Sequence, residues 1–202
     1  MSFMKNSLVV LLVLYFTACA LQTNDKSSEK SEKFAFSFSE KYIGLEKNRT
    51  FQWLGIPYAQ APVGSLRWKA PRSLENENDQ VKAIEFSNPC PQVESISIDK
   101  KGEGEFLGSE DCLFLNIFAP KNISSDKKLP VMFWIHGGGN TSGEAGSYDF
   151  SKLAAAHDLV IVSINYRLGF LGWFYHPSFA ATSNDQGDKS GNFGTLDQIM
   201  AL

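Results

Sequence analysis

The 202-residue sequence is poor in cysteine, in net charge and in metal-ligand clusters. Three cysteines are too few for a small protein that is held together by disulfides alone. A formal net charge of −3, from 19 basic and 22 acidic side chains, gives no electrostatic basis for binding nucleic acid. No group of His, Cys, Asp and Glu has metal-ligand spacing, so no metal or organic cofactor is implied. An apolar content of 43% excludes a wholly disordered chain and indicates a globular protein.

An apolar run near the N-terminus indicates export. Lys5 precedes nine apolar residues at 8–16, and small residues follow them. This layout is typical of a secretory signal, because so short a run cannot cross about 30 Å of hydrocarbon as a helix. Two processing sites compete. Residues 18–20, Ala-Cys-Ala, fit ordinary signal cleavage, whereas residues 16–19, Phe-Thr-Ala-Cys, resemble a bacterial lipobox in which Cys19 is lipidated.

The sequence therefore predicts three regions. Residues 1–18 form a signal peptide of the lipoprotein type, and residues 19–33 form a flexible polar tether rich in Ser, Lys, Glu, Asn and Asp. Residues 34–202 form the folded part. Lipidation of Cys19 would attach the protein to a membrane of the bacterial cell envelope, and without it the protein would be periplasmic or secreted.

Export affects how the other two cysteines are interpreted. Cys90 and Cys112 would lie in an oxidising compartment, where a disulfide is the simplest interpretation. The bond would close a loop of about twenty residues and stabilise the fold by about 3 kcal/mol in the chain-entropy model. The alternative is a pair of buried free thiols.

Short apolar strands alternate with helical patterns along the folded part. Strands are predicted at 113–118, 131–135 and 159–164, and helices after the good N-cap residues Asp149 and Asn192. The strand at 159–164 is apolar on both faces, which is typical of a covered parallel sheet. This order of elements indicates an α/β fold.

The strand at 131–135 leads directly into His136 and three glycines. Glycines leave the backbone N–H groups unobstructed and let a carbonyl group approach closely. In acyl-transfer enzymes, one such donor to the developing oxyanion stabilises the transition state by about 3 kcal/mol. A triple glycine alone is compatible with a simple turn, but a strand followed by His-Gly-Gly-Gly is the oxyanion motif of α/β-hydrolase lipases and esterases. We expect His136 to shape the loop rather than to transfer protons.

Residues 34–202 resemble the type-B carboxylesterases, the family that includes cholinesterases and bacterial ester hydrolases. The matching stretches are FQWLGIPYA at 51–59, PVGSLRW at 62–68, CPQ at 90–92, EDCLFLNIFAP at 110–120, PVMFWIHGGG at 130–139, NYRLG at 165–169 and GNFGTLDQ at 191–198. The resemblance implies the N-terminal portion of an α/β-hydrolase domain, with a central, mostly parallel sheet that is incomplete. It also implies hydrolysis of small-molecule carboxylic esters through a serine acyl-enzyme.

The resemblance assigns roles to individual residues of this sequence. Gly138 and Gly139 would supply two of the oxyanion N–H groups, and the third would come from the residue after the nucleophile. Cys90 and Cys112 match the family's first disulfide.

Four charged residues match two structural ion pairs of the family. Arg67 would pair with Glu110, and Arg167 with Asp197. That role suits mostly buried charges, which must be paired to be tolerated.

Three departures limit what the resemblance implies about substrates. Asn140 follows the glycines where an apolar or aromatic residue is common, which affects the acyl pocket. The loop at 90–112 contains no tryptophan, the cation–π partner of quaternary ammonium groups in cholinesterases, so choline esters are disfavoured. Residues 175–189 are long and polar for the family, which predicts a surface insertion.

The sequence contains no Gly-x-Ser-x-Gly nucleophile elbow. The nearest stretch, GNTSG at 139–143, has Ser142 one place too late and follows no strand. The family order of Ser, acid and His places the triad beyond Leu202. We therefore expect a truncated serine carboxylesterase whose 202 residues alone are inactive and unstable. The alternatives are an exported non-catalytic binding or adhesion module with the same fold, and a degenerate pseudogene product.

Overall fold

The structure is a computed structural model, and it describes residues 34–35, 41–75, 79–93, 104–122 and 127–202. The predicted signal peptide and tether, including Cys19, lie outside these residues. Within the described ranges, no helix is long and apolar enough to cross a membrane. The same ranges contain no group of three or more His, Cys, Asp or Glu side chains placed to hold a metal ion.

Short strands and short helices alternate along the described residues. The strands are β1 (Phe34–Ala35), β2 (Tyr42–Lys47), β3 (Thr50–Pro57), β4 (Val81–Lys82), β5 (Gln92–Val93), β6 (Phe106–Leu107), β7 (Phe114–Pro120), β8 (Val131–Ile135) and β9 (Val160–Ile164). The helices are α1 (Ser151–His157), α2 (Gly169–Gly172), α3 (Pro177–Ala181), α4 (Gln186–Lys189) and α5 (Phe193–Ala201). Single 3-10 turns occur at Gly64–Leu66 and Ala145–Ser147.

The main sheet has the strand order β1-β2-β3-β7-β9-β8, with β4 beside β2. The neighbouring pairs β1–β2, β2–β3, β3–β7 and β7–β9 are antiparallel. The pairs β8–β9 and β2–β4 are parallel. The sheet described is thus mixed, where the sequence analysis expected mostly parallel pairing. A two-residue turn joins β2 to β3 and so requires antiparallel pairing there, whereas a crossover through α1 joins the parallel strands β8 and β9.

The predicted elements differ from the observed ones mainly at their ends. Strand β8 has the predicted bounds, whereas α1 begins at Ser151 rather than directly after Asp149. Phe150 is the N-cap residue and makes no side-chain cap, so the predicted N-cap at Asp149 is wrong by one residue. The Asp149 Oδ1 accepts a hydrogen bond of 2.9 Å from the Ser151 N–H, two residues later, just before the helix. Helix α5 begins at Phe193, directly after Asn192 as predicted.

The apolar core lies along the central strands β3, β7 and β9. One of its buried clusters surrounds the predicted cysteine pair and includes Leu113, Ile164 and Tyr166. Cys90 and Cys112 are themselves buried and joined, with an S–S distance of 2.02 Å. The predicted disulfide is therefore confirmed, and the alternative of two free thiols is wrong. The bond joins residues 90 and 112 within the buried cluster that contains Ile164, the last residue of β9.

Candidate active site

The glycine loop, residues 136–143, begins where β8 ends. Gly138, Gly139 and Asn140 have φ values of 110°, 62° and 62°, so three consecutive residues adopt the left-handed region. Glycine adopts this region freely, and asparagine does so more readily than most other residues. The Gly138 carbonyl accepts the N–H groups of Thr141 at 3.1 Å and Ser142 at 3.2 Å, which closes a tight turn.

Sterics make glycine necessary at one position of this turn. A Cβ at Gly138 would overlap the main-chain carbonyl of Ser142, whereas a Cβ at Gly139 would meet no atom within 4 Å. Among the described residues, no group accepts a hydrogen bond from the N–H of Gly138 or Gly139, and both residues are exposed. These two N–H groups are thus available to an oxygen atom of a ligand, which is what an oxyanion hole requires.

His136 packs beneath the loop and does not face the solvent. Its ring stacks on Tyr166 with a centroid distance of 4.4 Å, and the Tyr166 hydroxyl donates a 2.7 Å hydrogen bond to the His136 carbonyl. The ring Nδ1 lies 2.9 Å from the Gly137 carbonyl oxygen, to which it can donate in the neutral tautomer. Burial lowers the pKa of His136, which favours that neutral form. These contacts support the expected role of His136 in shaping the loop.

Two amide side chains hold the far end of the loop, and neither is among the predicted site residues. The Gln92 Oε1 accepts the Gly143 N–H at 2.7 Å, and its Nε2 donates to the Gly143 carbonyl at 3.0 Å. The Asn165 Oδ1 accepts the Ala145 N–H at 2.7 Å. Both amides lie within stretches quoted for the family resemblance, but nothing in the local pattern indicates which main-chain groups they bind.

The buried ion pair joins Arg167, which follows β9, to Asp197 of α5. The Nη2–Oδ1 distance is 2.6 Å and the Nε–Oδ2 distance is 2.8 Å. The side chains are 3% and 0% exposed. This pair fits the expectation of a mostly buried charge.

The second expected pair, Arg67 with Glu110, also forms. Its Nε–Oε2 and Nη2–Oε1 distances are both 2.5 Å. The side chains are 41% and 26% exposed, however, so the expectation of mostly buried charge is wrong for this pair. Arg67 lies just after an exposed 3-10 turn, which leaves its guanidinium in contact with solvent.

The comparisons with known proteins decide the family. The model of the carboxylesterase family matches residues 40–202. This chain belongs to the carboxylesterase family. It is 43% identical over 165 residues to para-nitrobenzyl esterase of Bacillus subtilis, a match that covers 80% of this chain and 32% of that protein. It is 33% identical over 201 residues to liver carboxylesterase B-1 of Rattus norvegicus, covering 95% of this chain and 34% of that protein.

Solved structures of carboxylesterases have the same fold. A PNB esterase superposes with a TM-score of 0.68 at 38% identity, covering 85% of this chain and 34% of that one. A carboxylesterase of Geobacillus stearothermophilus gives 0.62 at 33% identity, covering 79% of this chain and 31% of that one. The predicted α/β-hydrolase fold is confirmed. The chain spans about a third of the length of the relatives it matches.

In this carboxylesterase chain, Ser142 of the GNTSG stretch lacks triad geometry. Ser142 belongs to the tight turn of the glycine loop, and its N–H is bonded to the Gly138 carbonyl. Among the described residues, no histidine or carboxylate hydrogen-bonds to the Ser142 hydroxyl, the contact that activates a serine nucleophile. Ser142 is a loop serine, as expected.

The predicted surface insertion at 175–189 is anchored to the body of this carboxylesterase chain. Asp188 is only 3% exposed, and its Oδ1 accepts hydrogen bonds of 2.8 Å from both the Ala70 N–H and the Arg72 guanidinium. Its Oδ2 accepts a 2.7 Å bond from the Ser183 hydroxyl. The expectation of a simple surface insertion missed this anchor, because its partners lie more than a hundred residues earlier in the chain.

Proposed function

We propose that the chain is part of an exported serine esterase that hydrolyses small-molecule carboxylic esters, with Gly138 and Gly139 in the oxyanion hole. The observation that carries this proposal is the pair of exposed N–H groups, without internal acceptors in the described residues, in a closed glycine turn. Membership of the carboxylesterase family supports the reaction class. The names of its relatives, para-nitrobenzyl esterase and liver carboxylesterase, support an ester substrate.

The proposed reaction uses these N–H groups at the step where charge develops. A serine attacks the ester carbonyl, a histidine oriented by Glu or Asp takes the serine proton, and the carbonyl oxygen becomes negative. The two glycine N–H groups bind this oxyanion and stabilise the tetrahedral intermediate more than the ground-state ester. The alcohol leaves after proton transfer from the histidine, and water then hydrolyses the acyl-enzyme. We propose that serine, acid and histidine follow Leu202 in the longer protein.

The location of the protein rests on the N-terminal sequence. A signal at 1–18 and a polar tether at 19–33 support export, and Cys19 is the proposed lipidation site. A lipid there would place the esterase on a membrane of the bacterial cell envelope. Labelling by a radioactive fatty acid that Cys19→Ser abolishes would support lipidation, and unlabelled protein in the culture medium would contradict it.

The second candidate is an exported non-catalytic binding or adhesion module with the same fold. The glycine turn favours the esterase, because a binding module has no need of an unobstructed oxyanion site. A degenerate gene product would have no need of it either.

The test begins with the coding DNA downstream of Leu202. The esterase proposal expects a Gly-x-Ser-x-Gly sequence soon after that codon, and another residue in the serine position would overturn it. The product of the whole reading frame should then hydrolyse a short-chain p-nitrophenyl ester and lose that activity with a serine-directed organophosphate. The 202-residue chain alone should show no turnover, and inhibitor-sensitive turnover by it would contradict the proposed position of the triad.

A further inference from the structure

Gln92 pairs with both main-chain groups of a single residue in the glycine loop. Its side-chain amide accepts from the Gly143 N–H at 2.7 Å and donates to the Gly143 carbonyl at 3.0 Å. The same Nε2 lies 3.0 Å from the Cys90 carbonyl oxygen. One side chain therefore connects the end of the glycine loop to the main chain at the disulfide.

Gly143 is the residue at which the two ends of the glycine loop meet. Its φ is 115°, and a Cβ there would lie 2.5 Å from the His136 Nδ1 and 2.6 Å from the Gly137 carbonyl oxygen. The main chain of Gly143 thus packs directly against the first residues of the loop. This contact includes Gly137, and Gly138 is the next residue. A shift of Gly143 would therefore move the N–H groups of the turn.

Asn165 makes a second connection of the same kind. Its Oδ1 accepts the Ala145 N–H at 2.7 Å, and its Nδ2 donates to the Asn88 carbonyl at 3.0 Å. Two amide side chains therefore join residues 143–145 to residues 88–90. The latter segment is fixed by the buried Cys90–Cys112 disulfide.

We propose that Gln92 is a positioning residue for the oxyanion hole. It holds Gly143, and through Gly143 the N–H groups of Gly138 and Gly139, at a fixed position relative to the disulfide. This inference rests on the proposed function of those two N–H groups. A preorganised donor is effective only at the position that the oxyanion will occupy, so a loosened loop weakens transition-state binding more than substrate binding.

The kinetic test replaces Gln92 by methionine, which keeps the length of the side chain and removes its hydrogen bonds. In the product of the whole reading frame, Gln92→Met should lower kcat by about 10- to 100-fold, with KM changed by less than about threefold. The matched control is Gln60→Met, since the Gln60 Nε2 donates to the Ser73 carbonyl at 2.9 Å, outside the glycine loop. The control should stay within about twofold of the wild type. An unchanged kcat, or a loss confined to KM, in Gln92→Met would overturn the proposal.

Gln92→Glu provides a pH-dependent rescue that a merely structural role would not produce. A protonated carboxyl group can donate to the Gly143 carbonyl and accept from its N–H, whereas a carboxylate cannot donate. The kcat of Gln92→Glu, divided by that of the wild type at the same pH, should therefore rise as pH falls through the titration of this carboxyl group. A ratio that stays flat would overturn the proposal. This comparison needs only Gln92→Glu and the wild type, so it remains decisive if Gln92→Met does not fold.

A measurement without substrate separates this inference from the proposed function. The N–H groups of Thr141 and Ser142 are bonded to the Gly138 carbonyl, so their hydrogen exchange reports opening of the turn. Exchange at both should accelerate at least about tenfold in Gln92→Met and not in Gln60→Met. Unchanged exchange would overturn the positioning role, whether or not the protein is an esterase. Accelerated exchange in a protein that hydrolyses no ester would support positioning while the proposed function fails.

Discussion

The two arginine–carboxylate pairs have the same bidentate geometry in opposite surroundings. Arg167 and Asp197 are 3% and 0% exposed, whereas Arg67 and Glu110 are 41% and 26% exposed. A buried charge that loses its partner stays buried and unpaired, while an exposed one is hydrated by water. The pair geometry alone therefore does not indicate how much a pair contributes to stability.

The buried pair also makes more connections. Asp197 Oδ2 accepts the Arg167 main-chain N–H at 3.0 Å, and Arg167 Nη1 donates to the Lys69 carbonyl at 2.8 Å. The guanidinium lies 5.4 Å from the centre of the Phe193 ring. Arg167 thus joins three segments that are far apart in the sequence, whereas Arg67 and Glu110 join two at the surface.

The largest effect is expected for Asp197→Asn. It leaves the buried Arg167 guanidinium without its counter-charge, so the free energy of unfolding should fall by about 3–5 kcal/mol. Denaturant unfolding of the product of the whole reading frame measures this loss, with Asp111→Asn at an exposed residue as the control. A loss below about 1 kcal/mol would show that the buried pair stabilises the fold no more than an exposed pair does.

An intermediate effect is expected for Asp188→Asn, because Asp188 is 3% exposed and its partner Arg72 is 32% exposed. The loss should be about 1–3 kcal/mol at neutral pH. Burial raises the pKa of Asp188, but the hydrogen bonds from Ser183 and Ala70 and the charge of Arg72 outweigh it, so the pKa is lowered.

This lowered pKa gives the effect of Asp188 a defined pH dependence. The carboxylate stabilises the folded state above its unfolded pKa of about 4, and this contribution is lost as pH falls through the lower folded pKa. The difference in unfolding free energy between wild type and Asp188→Asn should therefore shrink below about pH 4. A difference that is constant from pH 7 to about pH 3 would contradict this account.

The smallest effect is expected for Glu110→Gln at the exposed pair. The denaturant midpoint should change little, and raising NaCl from about 0.1 to about 1 M should remove what difference there is, because salt screens exposed charges. A loss as large as that of Asp197→Asn, or one that does not depend on salt, would break the comparison between the pairs.

Local patterns predicted the elements better than they predicted burial. Strand β8 has the predicted bounds because Pro130 and the glycine loop interrupt the apolar pattern at both ends. Helix α5 begins after Asn192 as expected, but its buried residues do not coincide with its apolar residues. Phe193, Gly194 and Asp197 are its buried residues, whereas Ile199 is 64% exposed. An acidic residue is buried there because it pairs with Arg167, thirty residues earlier, and no local periodicity contains that information.

In the candidate site, too, local sequence patterns predict only the features that depend on neighbouring residues. The tight turn of the glycine loop could be predicted from His-Gly-Gly-Gly, because the steric demand on glycine is local. The residues that hold the loop act over long sequence distances, and Gln92 is 51 residues from Gly143. The turn between β2 and β3 was also missed. Asn48 and Arg49 both have positive φ values there, and the arginine gives no signal for such a turn.

The left-handed conformation of Asn140 has a consequence for protein engineering. Its φ is 62°, its carbonyl accepts the Gly169 N–H at 2.7 Å, and its side chain is exposed. In a saturation library at position 140, the left-handed backbone would decide which variants keep the folded loop. Gly, Asn and Asp should therefore be retained, and β-branched residues should be depleted. Thr141 does not carry that restriction on φ, but its hydroxyl donates to the Gly138 carbonyl at 3.0 Å, so Ser is the replacement that should best preserve the turn there.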